Sequence, residues 1–213
     1  MSGLKITALL ALMIASTPAP WARAQTSTSS SASVRRVESF ARPSEMRIKP
    51  PAGAPSGPGA RRAVQACPTD LDVMCHKFWE FGGHFLNHNT IPARDRELLT
   101  LRTAYLIRGE YIWASHHDTY ATKAGLTKEE VLRVTRGPDA KGWSEADAAL
   151  LRAADELHSG RFITDATWKA LARRYGEREL LEAVLTVANY TMLGMYYNST
   201  GAQLEAGQTG FPD

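Results

Sequence analysis

Three residues near the middle of the chain have side chains that could move protons. Glu110, Trp113 and His117 are spaced i, i+3 and i+7, so in an α-helix a carboxylate, an indole and an imidazole share one face. An imidazole takes and gives protons near neutral pH, and a nearby carboxylate fixes its tautomer. The pattern therefore predicts acid/base chemistry without a cofactor, with His117 as the catalytic residue and Trp113 and Tyr111 as substrate-binding residues.

The same spacing is also typical of a helix that faces a hydrophobic core. Trp113 alone would be an ordinary core residue. Glu110 and His117 are different, because burying two ionisable groups on an apolar face is costly unless they are paired or hydrogen-bonded. Their presence favours a site over a purely structural stripe.

The elements that must position these residues are helices. One helix is predicted to start near Pro92 and to end at Gly109, because proline suits a first turn and glycine a helix end. The helix with the three residues follows, from Glu110 to Lys123, and Gly125 ends it.

Helix-start signals continue along the chain. Thr127 to Glu130 has the pattern of a capping box, and Ser144 and Thr164 are predicted N-caps of two further helices. No convincing strand alternation occurs. The predicted fold is all-α, with six to eight helices.

A weak internal repeat accompanies this pattern. Residues 178–181 repeat the Arg-Glu-Leu-Leu of residues 96–99 at an offset of 82, and an apolar helical run follows each copy. In register, Met192, Met195 and Ser199 replace the three candidate residues. We interpret the repeat as a decayed duplication in which only the first copy kept polar chemistry.

A longer pattern around the candidate site is similar to a known family. After His117 come a glycine, a hydrophobic residue and a Thr-x-Glu-Glu helix start, supplied by Gly125, Leu126, Thr127, Glu129 and Glu130. This pattern resembles the carboxymuconolactone decarboxylase and alkylhydroperoxidase superfamily, from about Phe78 to Leu204. The resemblance implies an alkylhydroperoxidase-like helical domain that assembles as a homotrimer or homohexamer.

The resemblance also distinguishes between branches of the superfamily. In the peroxidase branch, a Cys-x-x-Cys pair occupies the positions of Glu110 and Trp113, and this chain has neither cysteine. By resemblance, Glu97 matches a glutamate that helps to relay protons in that branch. We therefore expect Glu97 or Glu110 to orient His117.

The decarboxylase branch implies a carbon–carbon lyase or isomerase acting on a small carboxylated ring or lactone. Arg102 and Arg108 are the candidates for holding an anionic substrate. His84, which follows an aromatic run, is a further substrate-binding candidate. Two alternatives stay open: a peroxidase that uses the Cys67 and Cys75 thiols, and a ligand-binding oligomer that has lost catalysis.

A metal site is not predicted. His84 and His88 are spaced i, i+4 and could present two ligands on one helix face, but no motif completes the set with His116 or Asp118.

The start of the chain resembles an export signal. Residues 1–24 have a positive start, a short apolar run and a small-x-small cleavage site before Gln25. Residues 25–66 form a predicted disordered Ser/Pro/Gly-rich leader, and residues 67–208 the folded domain. We expect cleavage after Ala24, a periplasmic or secreted location and no stable membrane anchor.

Charge and cysteine content agree with an exported small-molecule enzyme. The formal net charge is +3, and loss of Lys5 and Arg23 with the signal peptide leaves +1, which gives no electrostatic footprint for nucleic acid. The two cysteines, Cys67 and Cys75, lie outside the motif. In an oxidising compartment we expect them to form a structural disulfide.

Overall fold

The computed structural model describes residues 43–48 and 72–212. The predicted signal peptide, most of the predicted leader and Cys67 lie outside these ranges. Within them the chain forms seven α-helices and one π-helix, and no strand. The predicted all-α fold of six to eight helices is confirmed.

The helices follow one another with short connections. In chain order they are α1 (Asp72–Asn87), α2 (Ala93–Leu106), α3 (Glu110–His116), the π-helix π1 (His117–Ala121), α4 (Lys128–Thr135), α5 (Glu145–Gly160), α6 (Asp165–Ala172) and α7 (Glu177–Thr200).

The predicted helix starts are confirmed in atomic detail. Thr127 and Glu130 form a reciprocal capping box at the start of α4. The hydroxyl of Ser144 accepts a hydrogen bond at the start of α5, and that of Thr164 does so at the start of α6. Gly125 has φ +87° in the turn before α4, a conformation that glycine adopts without steric cost.

Helix α2 lies at the centre of the domain. It packs against α3, α4, α5 and α7, and both apolar and polar side chains of α2 are buried, among them Leu98, Leu99, Asp95 and Glu97. A helix that is buried on all sides must pair its polar groups internally. Asp95 accepts hydrogen bonds from the Tyr175 hydroxyl and from Arg174 Nη2.

The two ends of the described chain pack onto this helical domain. The backbone N–H of Arg47 donates to the carbonyl of Thr200 at the end of α7, at 2.8 Å. The C-terminal tail, residues 202–212, returns to α3, where the Phe211 ring lies 5.5 Å from that of Trp113. The tail therefore covers one face of α3.

Aromatic residues of α1 and α7 pack against one another within the chain. Tyr190 and Tyr197 are buried, and Trp79 contacts the rings of Phe78 and Tyr196. No helix in residues 72–212 is long and apolar enough to cross a membrane.

Candidate active site

A buried carboxylate–imidazole pair joins α2 to the end of α3. His116 Nδ1 lies 2.7 Å from Glu97 Oε2, with side-chain exposures of 7% and 0%. The shared hydrogen of this bond belongs on Nδ1 when Glu97 is ionised, and we assign it there. His116 Nε2 is then the ring nitrogen that remains for proton transfer to a ligand.

The second oxygen of Glu97 is bound by its neighbour Arg96. Arg96 Nε and Nη2 donate to Glu97 Oε1 at 3.1 and 3.0 Å. Burial by itself would raise the pKa of Glu97, but the charge and hydrogen bond of His116, and then those of Arg96, outweigh it and lower the pKa. Glu97 is therefore a carboxylate at neutral pH.

The pair borders a partly enclosed cavity of about 290 Å³. Helix α1 forms one wall, α7 another, and α3 and π1 the third. The lining residues are Trp79, Gly82, Gly83, Leu86, Asn87, Tyr111, Ile112, Ser115, His116, Tyr120, Tyr190, Leu193 and Tyr197.

Two tyrosine rings flank the imidazole of His116. Tyr190 meets it edge to face, with ring centroids 4.9 Å apart, and the centroid of Tyr120 lies 5.0 Å away. Burial, and then the charge of Glu97, raise the pKa of Tyr190 well above its ordinary value. The Tyr190 phenol therefore stays protonated and can donate a hydrogen bond.

Two buried polar side chains near the cavity have no hydrogen-bond partner within the part of the chain that the structure describes. One is the hydroxyl of Ser115, a cavity-lining residue next to His116. The other is the amide of Asn189, which is 1% exposed and unpartnered at both its oxygen and its nitrogen. An unsatisfied buried group costs about 1–3 kcal/mol, so both sites favour a polar ligand or water.

The two faces of α3 point to different surroundings. Tyr111, Ile112, Ser115 and His116 line the cavity. At 100° per residue, the predicted residues 110, 113 and 117 lie on the opposite face. The π-helix begins at His117, so this residue belongs to a segment with more residues per turn than an α-helix. π-helical turns are frequent at functional sites.

The predicted catalytic histidine has other partners than those expected. His117 Nδ1 lies 2.7 Å from Asp118 Oδ1, and its ring stacks on Trp113 at 6.1 Å and 17°. Glu97 therefore pairs with His116 and not with His117, which corrects the predicted pairing. The catalytic role of His117 stays a prediction.

Glu110 does not orient His117 in this geometry either. Its Oε1 accepts a hydrogen bond from the Phe211 N–H at 3.4 Å, and Asp118 Oδ2 accepts one from Thr209 N at 2.9 Å. The predicted site face is thus bound to the C-terminal tail. Trp113 is 1% exposed and packs there as a core residue. Tyr111 lines the cavity, and its substrate-binding role stays a prediction.

The two arginines predicted to hold an anionic substrate lie elsewhere. Arg102 binds Asp155 through Nε and Nη2 at 2.5 and 3.0 Å, and its Nη1 donates to the carbonyls that end α4. Arg108 closes α2 with φ +56° and lies over the Tyr105 ring at 5.7 Å. Neither arginine is among the residues that line the cavity.

His84 lies on the other side of α1, in a wider surface depression. Its Nε2 is 3.7 Å from Glu182 Oε1.

Cys75 is not a free thiol, but Cys67 lies outside the described ranges, so the bridge between them stays a prediction.

Residues 43–48 and 72–212 contain no group of three or more His, Cys, Asp or Glu arranged to hold a metal ion.

Sequence reasoning missed His116, Ser115, Tyr120, Tyr190 and Asn189. The adjacent pair His116 and His117 was a usable signal, because one of two consecutive histidines must face away from the chosen stripe. The separation of 19 residues between Glu97 and His116 carries no such signal.

Sequence comparison gives a match to one family over part of the chain. Residues 76–156 match the profile of the Carboxymuconolactone decarboxylase family. The predicted resemblance to this family is confirmed. The family segment contains Glu97, Ser115 and His116 and ends within α5, before the α7 residues of the cavity. Among curated proteins, none gives a significant sequence match.

Solved structures share the fold. One is a protein of unknown function from Agrobacterium tumefaciens, described as a candidate antioxidant defence protein AhpD, with a TM-score of 0.58, 11% identity, and 65% of this chain and 97% of that chain covered. The debrominase Bmp8 is similar at TM-score 0.55 and 18% identity, with 64% and 74% covered. A Bmp8 cysteine-to-alanine variant in complex with 2,3,4-tribromopyrrole gives 0.55 and 17%, with 64% and 73% covered. At these identities the likeness shows the fold, and the alkylhydroperoxidase-like architecture is confirmed.

Proposed function

We propose that the protein is an enzyme that transfers protons on a small ring compound through Glu97 and His116, without a cofactor. The buried pair on the wall of an aromatic cavity is the observation that carries this proposal. The reaction is a decarboxylation or an isomerisation, the two classes suggested by the family resemblance.

The residues of the cavity divide the work of such a reaction. In an isomerisation, His116 Nε2 takes a proton from a ring carbon beside a carbonyl, and the imidazolium returns it to a different carbon of the enolate. In a decarboxylation, the ring carbon loses CO2 and its electron pair takes a proton from the imidazolium. Glu97 stabilises the imidazolium in both cases.

The comparisons support a small cyclic substrate. The Carboxymuconolactone decarboxylase family takes its name from a reaction of a lactone, and the debrominase with the same fold binds a substituted pyrrole. The cavity of about 290 Å³ lies at the lower end of the range for ligand pockets, which suits a small ring compound.

The test begins with solvent exchange. Purified protein in D2O is mixed with a panel of cyclic ketones and lactones, with and without a carboxylate, and deuterium incorporation and CO2 release are followed by mass spectrometry. For any compound that reacts, His116→Gln should lower the rate about 100- to 10,000-fold, as expected for loss of a general acid/base. Far-ultraviolet circular dichroism checks that the variant is folded.

His117→Gln is the matched control, because it removes the neighbouring imidazole on the other face of α3. It should leave the rate within a few-fold of the wild type. The opposite ranking of the two variants would restore the predicted role of His117 and overturn the proposal.

The peroxidase alternative rests on the superfamily and on the description of one structural neighbour. The sequence has Glu110 and Trp113 where that branch has its thiols, and both contact the C-terminal tail. A Cys67→Ser/Cys75→Ser double variant that stays folded should keep its activity. Loss of a peroxide-dependent activity in this variant would support the alternative.

We also propose that the protein is exported and that it assembles as a homo-oligomer. We expect mass spectrometry of the exported protein to show a start at Gln25, and light scattering of the mature protein to show a trimer or hexamer.

A further inference from the structure

The cavity beside His116 has polar groups that point to the chemistry of its ligand. Ser115 lines the cavity, and its Oγ is buried and has no hydrogen-bond partner in the described chain. It directly precedes His116, so a ligand group bound to Ser115 lies close to the imidazole. A hydroxyl donates one hydrogen bond and can accept two, and it therefore suits a hydroxyl, a carbonyl or a ring N–H.

A second unpartnered group stands behind the wall that α1 forms. Asn189 Oδ1 is 3.6 Å from the position that a Cβ would take on Gly82, and Gly82 lines the cavity. Because Gly82 has no side chain, the neutral amide of Asn189 lies close behind this wall. An amide also pairs with uncharged donors and acceptors.

The walls themselves are aromatic. Trp79, Tyr111, Tyr120, Tyr190 and Tyr197 all line the cavity. Aromatic rings stack on flat ligands and meet them edge to face. The cavity shape therefore suits a planar ring.

Among the described residues, the charged groups behind His116 are already paired. Glu97 binds Arg96, and the remaining Nη1 of Arg96 donates to the carbonyl of Leu86 at 3.3 Å. Among the described residues that line the cavity, His116 is the one whose side chain can become cationic. A carboxylate in the cavity would thus have to be matched by protonation of His116, and a protonated His116 cannot act as the base that the isomerisation needs.

We propose that the cavity binds an uncharged planar ring whose hydroxyl, carbonyl or N–H group is held by Ser115 Oγ. This inference rests on the proposed function and selects between its two reactions: the substrate is an uncharged ring that is isomerised, and not a carboxylated ring that is decarboxylated.

The experiment compares two probes with the same ring, para-chlorophenol and para-chlorobenzoate, which are uncharged and anionic at pH 7. Isothermal titration calorimetry with the full mature chain should give a dissociation constant about tenfold lower for the phenol, which corresponds to about 1.4 kcal/mol. Equal or tighter binding of the benzoate overturns the inference, and so does the absence of phenol binding at millimolar concentration.

Ser115→Ala tests the predicted contact. One neutral hydrogen bond corresponds to about a fivefold loss of phenol affinity. Ser159→Ala is the matched control, because the Ser159 hydroxyl donates to the Asp155 carbonyl within α5 at 2.8 Å, away from the cavity. Ser115→Cys serves as a second variant of similar size, with a thiol that is a weaker donor. Unchanged phenol affinity in both Ser115 variants contradicts the contact.

Binding is measured without turnover, so the two proposals fail separately. Phenol binding that depends on Ser115, together with an unchanged rate in His116→Gln, removes the acid/base mechanism only. Loss of turnover in His116→Gln, together with preferred benzoate binding, removes the uncharged-ring inference only.

Discussion

The two faces of α3 carry similar chemical groups in different surroundings. On the cavity face, His116 pairs with the fully buried Glu97 and borders open space. On the tail face, His117 pairs with Asp118, whose side chain is 26% exposed, and stacks on Trp113 beneath residues 209–211. A histidine next to a carboxylate is therefore not by itself a site. His116 borders the cavity and His117 does not, and this difference distinguishes the two histidines.

The first way to sharpen this comparison is to truncate an aromatic residue on each face. Trp113→Ala removes a side chain that is 1% exposed and should lower the free energy of unfolding by about 3–5 kcal/mol. Trp79→Ala, in the wall of the cavity, removes a partly buried ring and should cost less. Urea denaturation of both variants measures the difference. Equal losses would contradict the assignment of Trp113 to the core.

The second prediction concerns the pH dependence of Glu97. The pKa of Glu97 in the folded state is lowered from the ordinary value of 4.5. At a pH between the folded-state pKa and 4.5, the unfolded chain therefore binds more protons than the folded chain. The stabilisation by Glu97 is therefore complete above about pH 4.5 and is lost as pH falls through the folded-state pKa. Glu97→Gln should cost about 1.5–3 kcal/mol at neutral pH and should show a shallower acid transition.

The control for this prediction is an exposed ion pair. Asp139, with a side chain 83% exposed, binds Arg152, and Asp139→Asn should change stability by about 1 kcal/mol or less. Urea denaturation at pH 7 and pH 4 gives both values. An acid transition in Glu97→Gln as steep as that of the wild type would contradict the buried ionised carboxylate.

A smaller loss of stability is expected when the C-terminal tail is altered. Phe211 is partly buried against Trp113 and Tyr105, and Phe211→Ala should lower the free energy of unfolding by about 1–2 kcal/mol. Because the tail lies on the face opposite the cavity, the affinity for para-chlorophenol should not change. A parallel loss of affinity would show that the two faces are coupled.

The smallest expected effect is at Asp118. Asp118→Asn keeps one oxygen that can accept from Thr209 N or contact His117, so the loss of stability should be about 0.5–1 kcal/mol. Turnover should be unaffected. A loss of turnover comparable to that of His116→Gln would place the tail face in the reaction.

The sequence was sufficient to predict the helices because their ends carry local signals. Thr127, Ser144 and Thr164 each cap a helix through their own side chain, and such bonds depend on residues three positions away. The family resemblance could also be recognised from the sequence, since its pattern lies within the matched residues 76–156.

Local sequence signals do not show which face of α3 borders the cavity. Both faces of α3 contain aromatic residues and one of two adjacent histidines, so periodicity alone does not rank them. The deciding contacts come from far along the chain. Tyr190 reaches His116 from α7, and Phe211 covers Trp113 from the tail. Arg102 was misread for a similar reason, because its partner Asp155 lies on another helix.

The internal repeat was informative only in part. Its two copies lie near the starts of α2 and α7, as expected for equivalent helices. The first copy, however, is interrupted at Arg108, which has φ +56°, whereas α7 continues without a break to Thr200. The break allows α3 to turn one face to the cavity and the other to the tail.

The π-helix at residues 117–121 also bears on how this chain is to be aligned with others. Each π-type hydrogen bond spans one residue more than an α-type bond, so π1 accommodates an extra residue while the flanking turns keep their direction. A homologue with one residue fewer between His116 and Gly125 could therefore keep both in equivalent positions. Alignments without a gap at this point match its histidine with His117. Allowing one gap matches it with His116.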